Sequence, residues 1–198
     1  MTKIISPSML SADFGNLQSM CEMINASQAD WLGFPVIEAI KKHCTKMLDV
    51  HIMIVNPEKY VQRFAKAGAG MLTFHYEAAN NPQEVIDLIR AEGIQVGISI
   101  NPDVPVSALE PYIKSVDMVL LMTVFAGFGG QKFIEESYNR IDELREMISR
   151  LNPTCLIEVD GGVTLDNAAK LFAHGVNVLV AGSTVFNTTN PSDTIKVY

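Results

Sequence analysis

Apolar residues in this chain gather into short unbroken runs, each followed by a stretch in which they recur at helical spacing. The runs are Ile4–Ser8, Leu48–Ile54, Met71–Tyr76, Gln95–Ile100, Met118–Thr123, Cys155–Asp160 and Val178–Ala181. Continuous rather than alternating apolar character predicts parallel strands covered on both faces. The stretches between them predict helices over Asp13–Ala26, Pro35–Lys42, Pro57–Ala67, Pro82–Glu92, Val106–Ile113, Ile134–Arg150 and Asp166–His174. Asn56–Pro57 and Asn81–Pro82 each read as an N-cap followed by proline at the first helical position. Gly68, Gly93 and Gly175 stand just past helix ends, where a left-handed residue is wanted. No linker, charge block or low-complexity segment interrupts this rhythm, so residues 1–198 read as a single α/β domain.

One interval is too short. Between the helix ending near Ala26 and the helix starting near Pro35 lie eight residues, Ser27 to Phe34. A strand with its two connecting loops needs about ten or more. Ala29–Leu32 reads as the beginning of a strand and Gly33–Pro35 as the entry to a helix. Seven strands and one stump predict a (β/α)₈ TIM barrel with most of the second strand and its βα loop missing. At the other end, Thr194–Tyr198 reaches barely one turn into an eighth helix.

Composition narrows the class. The chain is 48% hydrophobic and 19% charged, as a globular protein is. Its longest apolar runs fall far short of the ~20 residues a membrane helix needs, and Met1–Ser6 lacks the design of a signal peptide. A cytoplasmic protein with no membrane partner is expected. A net charge of −7 argues against nucleic acid, though not against one local phosphate pocket. Cys21, Cys44 and Cys155 are odd in number and widely spaced, so neither a zinc knot nor a disulfide frame is indicated.

The chemistry sits at strand ends. Asp160 closes an apolar strand and is followed at once by Gly161–Gly162. A carboxylate there is costly to desolvate unless it meets a cation or donors, and the glycines offer backbone N–H groups to an anion. Thr164 and Asp166 are better placed than Asp160 to cap the helix that follows. His51, also at a strand end, suits a metal or a substrate oxygen; a strand-capping histidine is the plainer alternative. Gly127–Phe128–Gly129–Gly130 and Gly182–Ser183 both follow late strands, where barrels often hold phosphate. Two such loops favour a phosphorylated small molecule. Ser8 and His75 end strands as well and are candidate contacts to a sugar oxygen. Met53 and Met122 read either as soft apolar walls of the site or as core. His43 and His174 lie on helix ends and read as solvated.

Taken together, the segments Ser6–Phe14, Leu48–Met53, Phe74–Glu77, Met122 with Gly127–Phe133, Glu158–Val163 and Ala181–Ser183 resemble the ribulose-phosphate 3-epimerase family. The resemblance implies proton transfer at C3 of a ketopentose phosphate through an enediolate, without nicotinamide or flavin. It implies one divalent metal ion (zinc, iron, manganese or cobalt) held by two His and two Asp, and a homo-oligomer. Mapped onto this chain, His51 and Asp160 would be metal ligands, with Asp160 also one of two catalytic acids. Ser8 and His75 would lie near the sugar, and Met53 and Met122 beside the enediolate. Gly129, Gly130, Gly161, Gly162, Gly182 and Ser183 would line the phosphate end, with Gly127 and Phe128 in the same loop.

The chain departs from that family at one place. The second strand there carries a His-x-Asp-x-Met-Asp-Gly motif, whereas here Leu32 is followed directly by Gly33. Residues are therefore expected to be missing between Leu32 and Gly33, with a gap in the chain at that bond. A smaller departure is Phe125–Ala126, where the family usually has a polar residue and proline. Two other readings compete with a ribulose-phosphate epimerase. One is an epimerase for allulose 6-phosphate, and the other is a non-catalytic phosphate-binding barrel, should the deletion be real.

Overall fold

Eight parallel strands form one sheet in the computed structural model, which describes residues 4–7, 31–33, 41, 43–126 and 131–198. They are β1 (Ile4–Pro7), β2 (Trp31–Gly33), β3 (Met47–Ile52), β4 (Met71–His75), β5 (Gln95–Ile100), β6 (Met118–Met122), β7 (Leu156–Asp160) and β8 (Val178–Ala181). The order is β1-β8-β7-β6-β5-β4-β3-β2. β1 and β2 lie beside each other, which brings the two edges of the sheet together. The described helices are α1 (Val61–Ala67), α2 (Pro82–Ala91), α3 (Ser137–Leu151), α4 (Leu165–His174), α5 (Ser183–Phe186) and α6 (Pro191–Val197). The architecture is a (β/α)₈ barrel.

Strands β3 to β8, whose side chains are described, bury two different faces, as continuous apolar runs predict. Val50 and Ile52 on β3, Leu72 and Phe74 on β4, and Val96 and Ile98 on β5 share one cluster with Val85, Ile86 and Ile89 of α2. These residues form the outer face, under the helices. Met71, Met118 and Val178 form a separate cluster with Met47 and Leu156, and they plug the N-terminal end of the barrel interior. Stepping by two along the strands from that plug leads upward through the interior. Met47 gives way to Asp49 and His51, Met71 to Thr73 and His75, and Leu156 to Glu158 and Asp160. The interior is thus tiered: an apolar floor, a tier of buried acids and hydroxyls, and a tier of imidazole and carboxylate at the C-terminal mouth. Gly97 of β5 belongs to this packing, because a Cβ there would fall 2.0 Å from Thr73 Oγ1.

The short interval resolves differently from expectation. β2 is a three-residue strand that runs straight through Leu32–Gly33, with Leu48 and Asp49 as successive partners on β3. No gap opens at that bond. Three paired residues are enough to continue the sheet, because neighbouring strands set the direction and spacing and the stump need only supply its backbone.

Smaller differences follow from local geometry. Asn56 adopts a left-handed conformation (φ 54°) and does not cap the following turn with its side chain. Pro57–Lys59 is accordingly a separate 3₁₀ turn ahead of α1. Asn81 does cap α2, its Oδ1 accepting from Glu84 N–H at 3.5 Å. The span Val106–Ile113 forms no α-helix but two 3₁₀ turns, Val106–Leu109 and Ile113–Ser115; Pro105 and Pro111 deny the backbone donors a longer helix would need. No helix among the described residues is long and apolar enough to cross a membrane.

Candidate active site

His51, His75 and Asp160 converge at the C-terminal ends of β3, β4 and β7. His51 Nε2 lies 2.9 Å from His75 Nε2, and His51 Nδ1 lies 3.7 Å from Asp160 Oδ2. Asp160 is held by its backbone. Its carbonyl accepts from Thr123 N–H at 2.8 Å and from Thr123 Oγ1–H at 2.9 Å. Its neighbour across the ladder is Met122, which is fully buried. The Asp160 side chain is 27% exposed and that of His51 13%, so the carboxylate opens to the mouth while the imidazole lies behind it. Burial lowers the His51 pKa against the opposing pull of Asp160, favouring the neutral ring.

His75 is buried, and its Nδ1 lies 3.1 Å from Glu77 Oε1. Glu77 Oε1 also accepts the backbone N–H of Asn101 at 3.0 Å. Partial burial would raise the Glu77 pKa, but the hydrogen bonds it accepts, that of His75 foremost, lower it on balance. Asn101 in turn accepts from Ala126 N–H at 3.2 Å, and its carbonyl accepts from Arg140 Nη2 at 3.0 Å. The loops after β4, β5 and β6 are tied together behind the histidines.

Below this tier lie Asp49, Thr73, Ser99 and Glu158, all buried. Asp49 Oδ1, Thr73 Oγ1 and Ser99 Oγ find no hydrogen-bond partner among the described residues, and the carboxyl groups of Asp49 and Glu158 interact with each other. Burial pushes Asp49 up to about 6, with Asp160 adding to the rise. Glu158 rises well above the ordinary carboxylate range, first through burial and then through Asp49 and Asp160. These acids went unremarked in the sequence reading. Their i, i+2 spacing from His51 and Asp160 is the signal that puts them on the same inward face.

The remaining expected site residues fall into four groups. Ser8, Gly127, Phe128, Gly129 and Gly130 lie outside the described residues. Met53 sits one residue past β3 and is 45% exposed, at the same end of the barrel as His51. Gly161 and Gly162 both have positive φ, 118° and 66°. A Cβ on Gly161 would meet Val124, and one on Gly162 would fall 2.3 Å from Phe133 N. Close approach of protein to protein therefore accounts for both glycines, and only their backbone faces remain for a ligand. Gly182 and Ser183 follow β8 at the same mouth, where Gly182 begins the single turn of α5. His174 is not merely solvated. Its Nδ1 pairs with Asp142 at 3.0 Å, and its ring packs against Tyr138.

The donor set for a metal ion is partial. An imidazole nitrogen and a carboxylate oxygen 3.7 Å apart can be bridged by one ion with bonds of ~2.1 Å to each. No group of three or more His, Cys, Asp or Glu side chains is arranged to hold a metal among the described residues. His51 and Asp160 fit two positions of such a site and leave the others to be filled.

Comparison with known proteins shows the family. Cytoplasmic-isoform ribulose-phosphate 3-epimerase of Oryza sativa subsp. japonica is 40% identical, over 97% of this chain and 91% of the rice protein. The ribulose-phosphate 3-epimerase of Bacillus subtilis is 38% identical over 92% of this chain and 91% of its own length. The rice alignment spans 214 residues, more than the 198 of this chain, so the rice protein has residues that this one lacks. Among solved structures, KGPDC from Streptococcus mutans superposes with a TM-score of 0.78 at 12% identity, covering 100% of this chain and 95% of that one. The 3-hexulose-6-phosphate synthase of Salmonella typhimurium does so with a TM-score of 0.72 at 16% identity, covering 98% and 95%. Both share the fold. Residues 4–186 match the profile of the Ribulose-phosphate 3 epimerase family, and the chain belongs to that family of isomerases.

Proposed function

We propose that this protein interconverts D-ribulose 5-phosphate and D-xylulose 5-phosphate by proton transfer at C3. The observation that carries the proposal is Asp160, a carboxylate at the open end of β7 facing the His51 imidazole across 3.7 Å. Asp160 takes the C3 proton, and the C–H electron pair moves into the C2–C3 bond while the C2 carbonyl oxygen gains negative charge. Return of a proton to the opposite face of the resulting cis-enediolate yields the other epimer. His51 and Asp160 would hold a divalent ion, which when bound supplies positive charge to that oxyanion. Met122, beside Asp160, keeps water from the reacting carbon. The phosphate is received by the backbone of Gly161, Gly162, Gly182 and Ser183 at the same mouth. The protein works as a cytoplasmic homo-oligomer.

The three-residue β2 supports a second reading. It ends without the acid that the family's second strand would place opposite Asp160. A barrel that binds the sugar phosphate but cannot protonate its far face would exchange the C3 proton without epimerising, or would only bind. One experiment separates these outcomes. Each purified ketopentose phosphate is incubated with the protein in deuterated water and followed by NMR. Deuterium at C3 together with the second epimer is expected. Exchange in one epimer alone would show a single working face, and binding without exchange would leave a non-catalytic barrel. Faster turnover of allulose 6-phosphate would move the substrate to a hexulose phosphate.

A further inference from the structure

We propose that Glu77 and His75 are positioning residues that hold His51 in the tautomer whose Nδ1 lone pair faces Asp160. This rests on His51 and Asp160 being the reacting pair, as read above, and it assigns His75 a place behind His51 rather than against the sugar. The argument begins at a group whose role is unambiguous. A backbone N–H only donates, so Glu77 Oε1, which accepts from Asn101 N–H at 3.0 Å, presents lone pairs. The same oxygen lies 3.1 Å from His75 Nδ1, which must therefore carry a hydrogen and donate. His75 Nε2 lies 2.9 Å from His51 Nε2, so one of these two nitrogens donates to the other. The geometry on the far side of His51 sets the direction: a lone pair at Nδ1, facing Asp160 across 3.7 Å, puts the hydrogen on Nε2, which donates to His75.

Two further distances agree. The ring centroids of His51 and His75 are 4.9 Å apart with planes inclined by 22°. That is close to the widest separation two imidazoles can have with nitrogens so near, so the nitrogens point at one another. The 3.7 Å between His51 Nδ1 and Asp160 Oδ2 exceeds the ~2.7–3.2 Å of an N–H···O bond. Two lone-pair atoms facing each other keep such a distance, whereas an Nδ1–H would draw the carboxylate in. A histidine that ligates a metal commonly donates its other N–H to a fixed acceptor. Here that acceptor is His75, set in turn by Glu77 and the backbone of β5.

The test needs no turnover. The chain has four histidines, so long-range ¹H–¹⁵N NMR of the metal-free, ¹⁵N-labelled full chain can assign each ring nitrogen. His51 should show protonated Nε2 and unprotonated Nδ1, and His75 the reverse. Glu77→Leu should abolish the single tautomer at His51, while Glu77→Gln should retain it, since an amide oxygen still accepts from Asn101. In a competitive Zn²⁺ titration the Leu variant should bind about 10–100-fold more weakly, with Gln restoring affinity to within a few-fold of wild type. Protonated Nδ1 at His51 in the wild-type protein would overturn the proposal, as would a Leu variant with an unchanged tautomer. Should Glu77→Leu fail to fold, the wild-type spectrum decides alone. A protein that does not epimerise still reports its tautomer, so failure of the reaction and failure of this inference remain distinct.

Discussion

The barrel interior holds two polar tiers built from the same strands, and they do opposite things with similar side chains. Asp160 and Glu158 are two residues apart on β7, as are His51 and Asp49 on β3. Along a strand that is a step of roughly 6–7 Å. Above it, the carboxylate is partly exposed and faces an imidazole. Below it, Glu158 and Asp49 are sealed over an apolar floor, and burial drives both toward the protonated form. Depth, rather than residue type, separates the proposed base from the sealed acids below it. The upper acid also bears on the lower ones, since each carries part of its shift from Asp160.

The comparison breaks most sharply at Asp160. Asp160→Asn keeps the shape of the side chain but removes the base, and C3 exchange should fall by about 10²–10⁴-fold with the melting temperature little changed. Wild-type exchange in this variant, measured by NMR in deuterated water, would remove Asp160 from the chemistry. Damage to the lower tier should register as stability instead. Gly97→Ala places a methyl against Thr73 and should cost about 1–3 kcal/mol in urea unfolding.

The pH dependence sharpens the contrast. Asp49 and Glu158 have folded-state pKa values raised above their unfolded ones. Their contribution to stability is therefore full in acid, below about pH 4, and is lost as pH rises through about 6 and beyond. Unfolding free energy should fall as pH rises from about 4 through about 6, and Asp49→Asn should flatten that fall by roughly 1–3 kcal/mol. Glu77 acts in another window. Its depressed pKa stabilises above the ordinary carboxylate range and is lost only in stronger acid, so its effect does not mask the first. The smallest change is expected at Ser99, whose buried hydroxyl lacks a hydrogen-bond partner among the described residues. Ser99→Ala should shift stability by less than about 1 kcal/mol, and a large loss would show that the hydroxyl is satisfied in solution.

The run pattern alone located β3 to β8 to within two residues at each end, because parallel strands buried on both faces leave unbroken apolar stretches between polar helices. It also put His51, His75 and Asp160 at strand ends, and a barrel brings such ends to one face whatever its helices do. The eight residues from Ser27 to Phe34 marked where the second strand is short. Whether they pair was decided in three dimensions, by β3 offering a ladder on which Trp31–Gly33 could align. The role of His75 lay beyond the sequence for a similar reason. A histidine at a strand end reads as a ligand contact, and only the fold shows its Nδ1 lying 3.1 Å from Glu77 Oε1, the oxygen that also accepts from Asn101 N–H. Composition and spacing determine which groups reach the mouth of the barrel. Burial depth and hydrogen-bond direction determine what each can do there, and both come from contacts between segments remote in the chain.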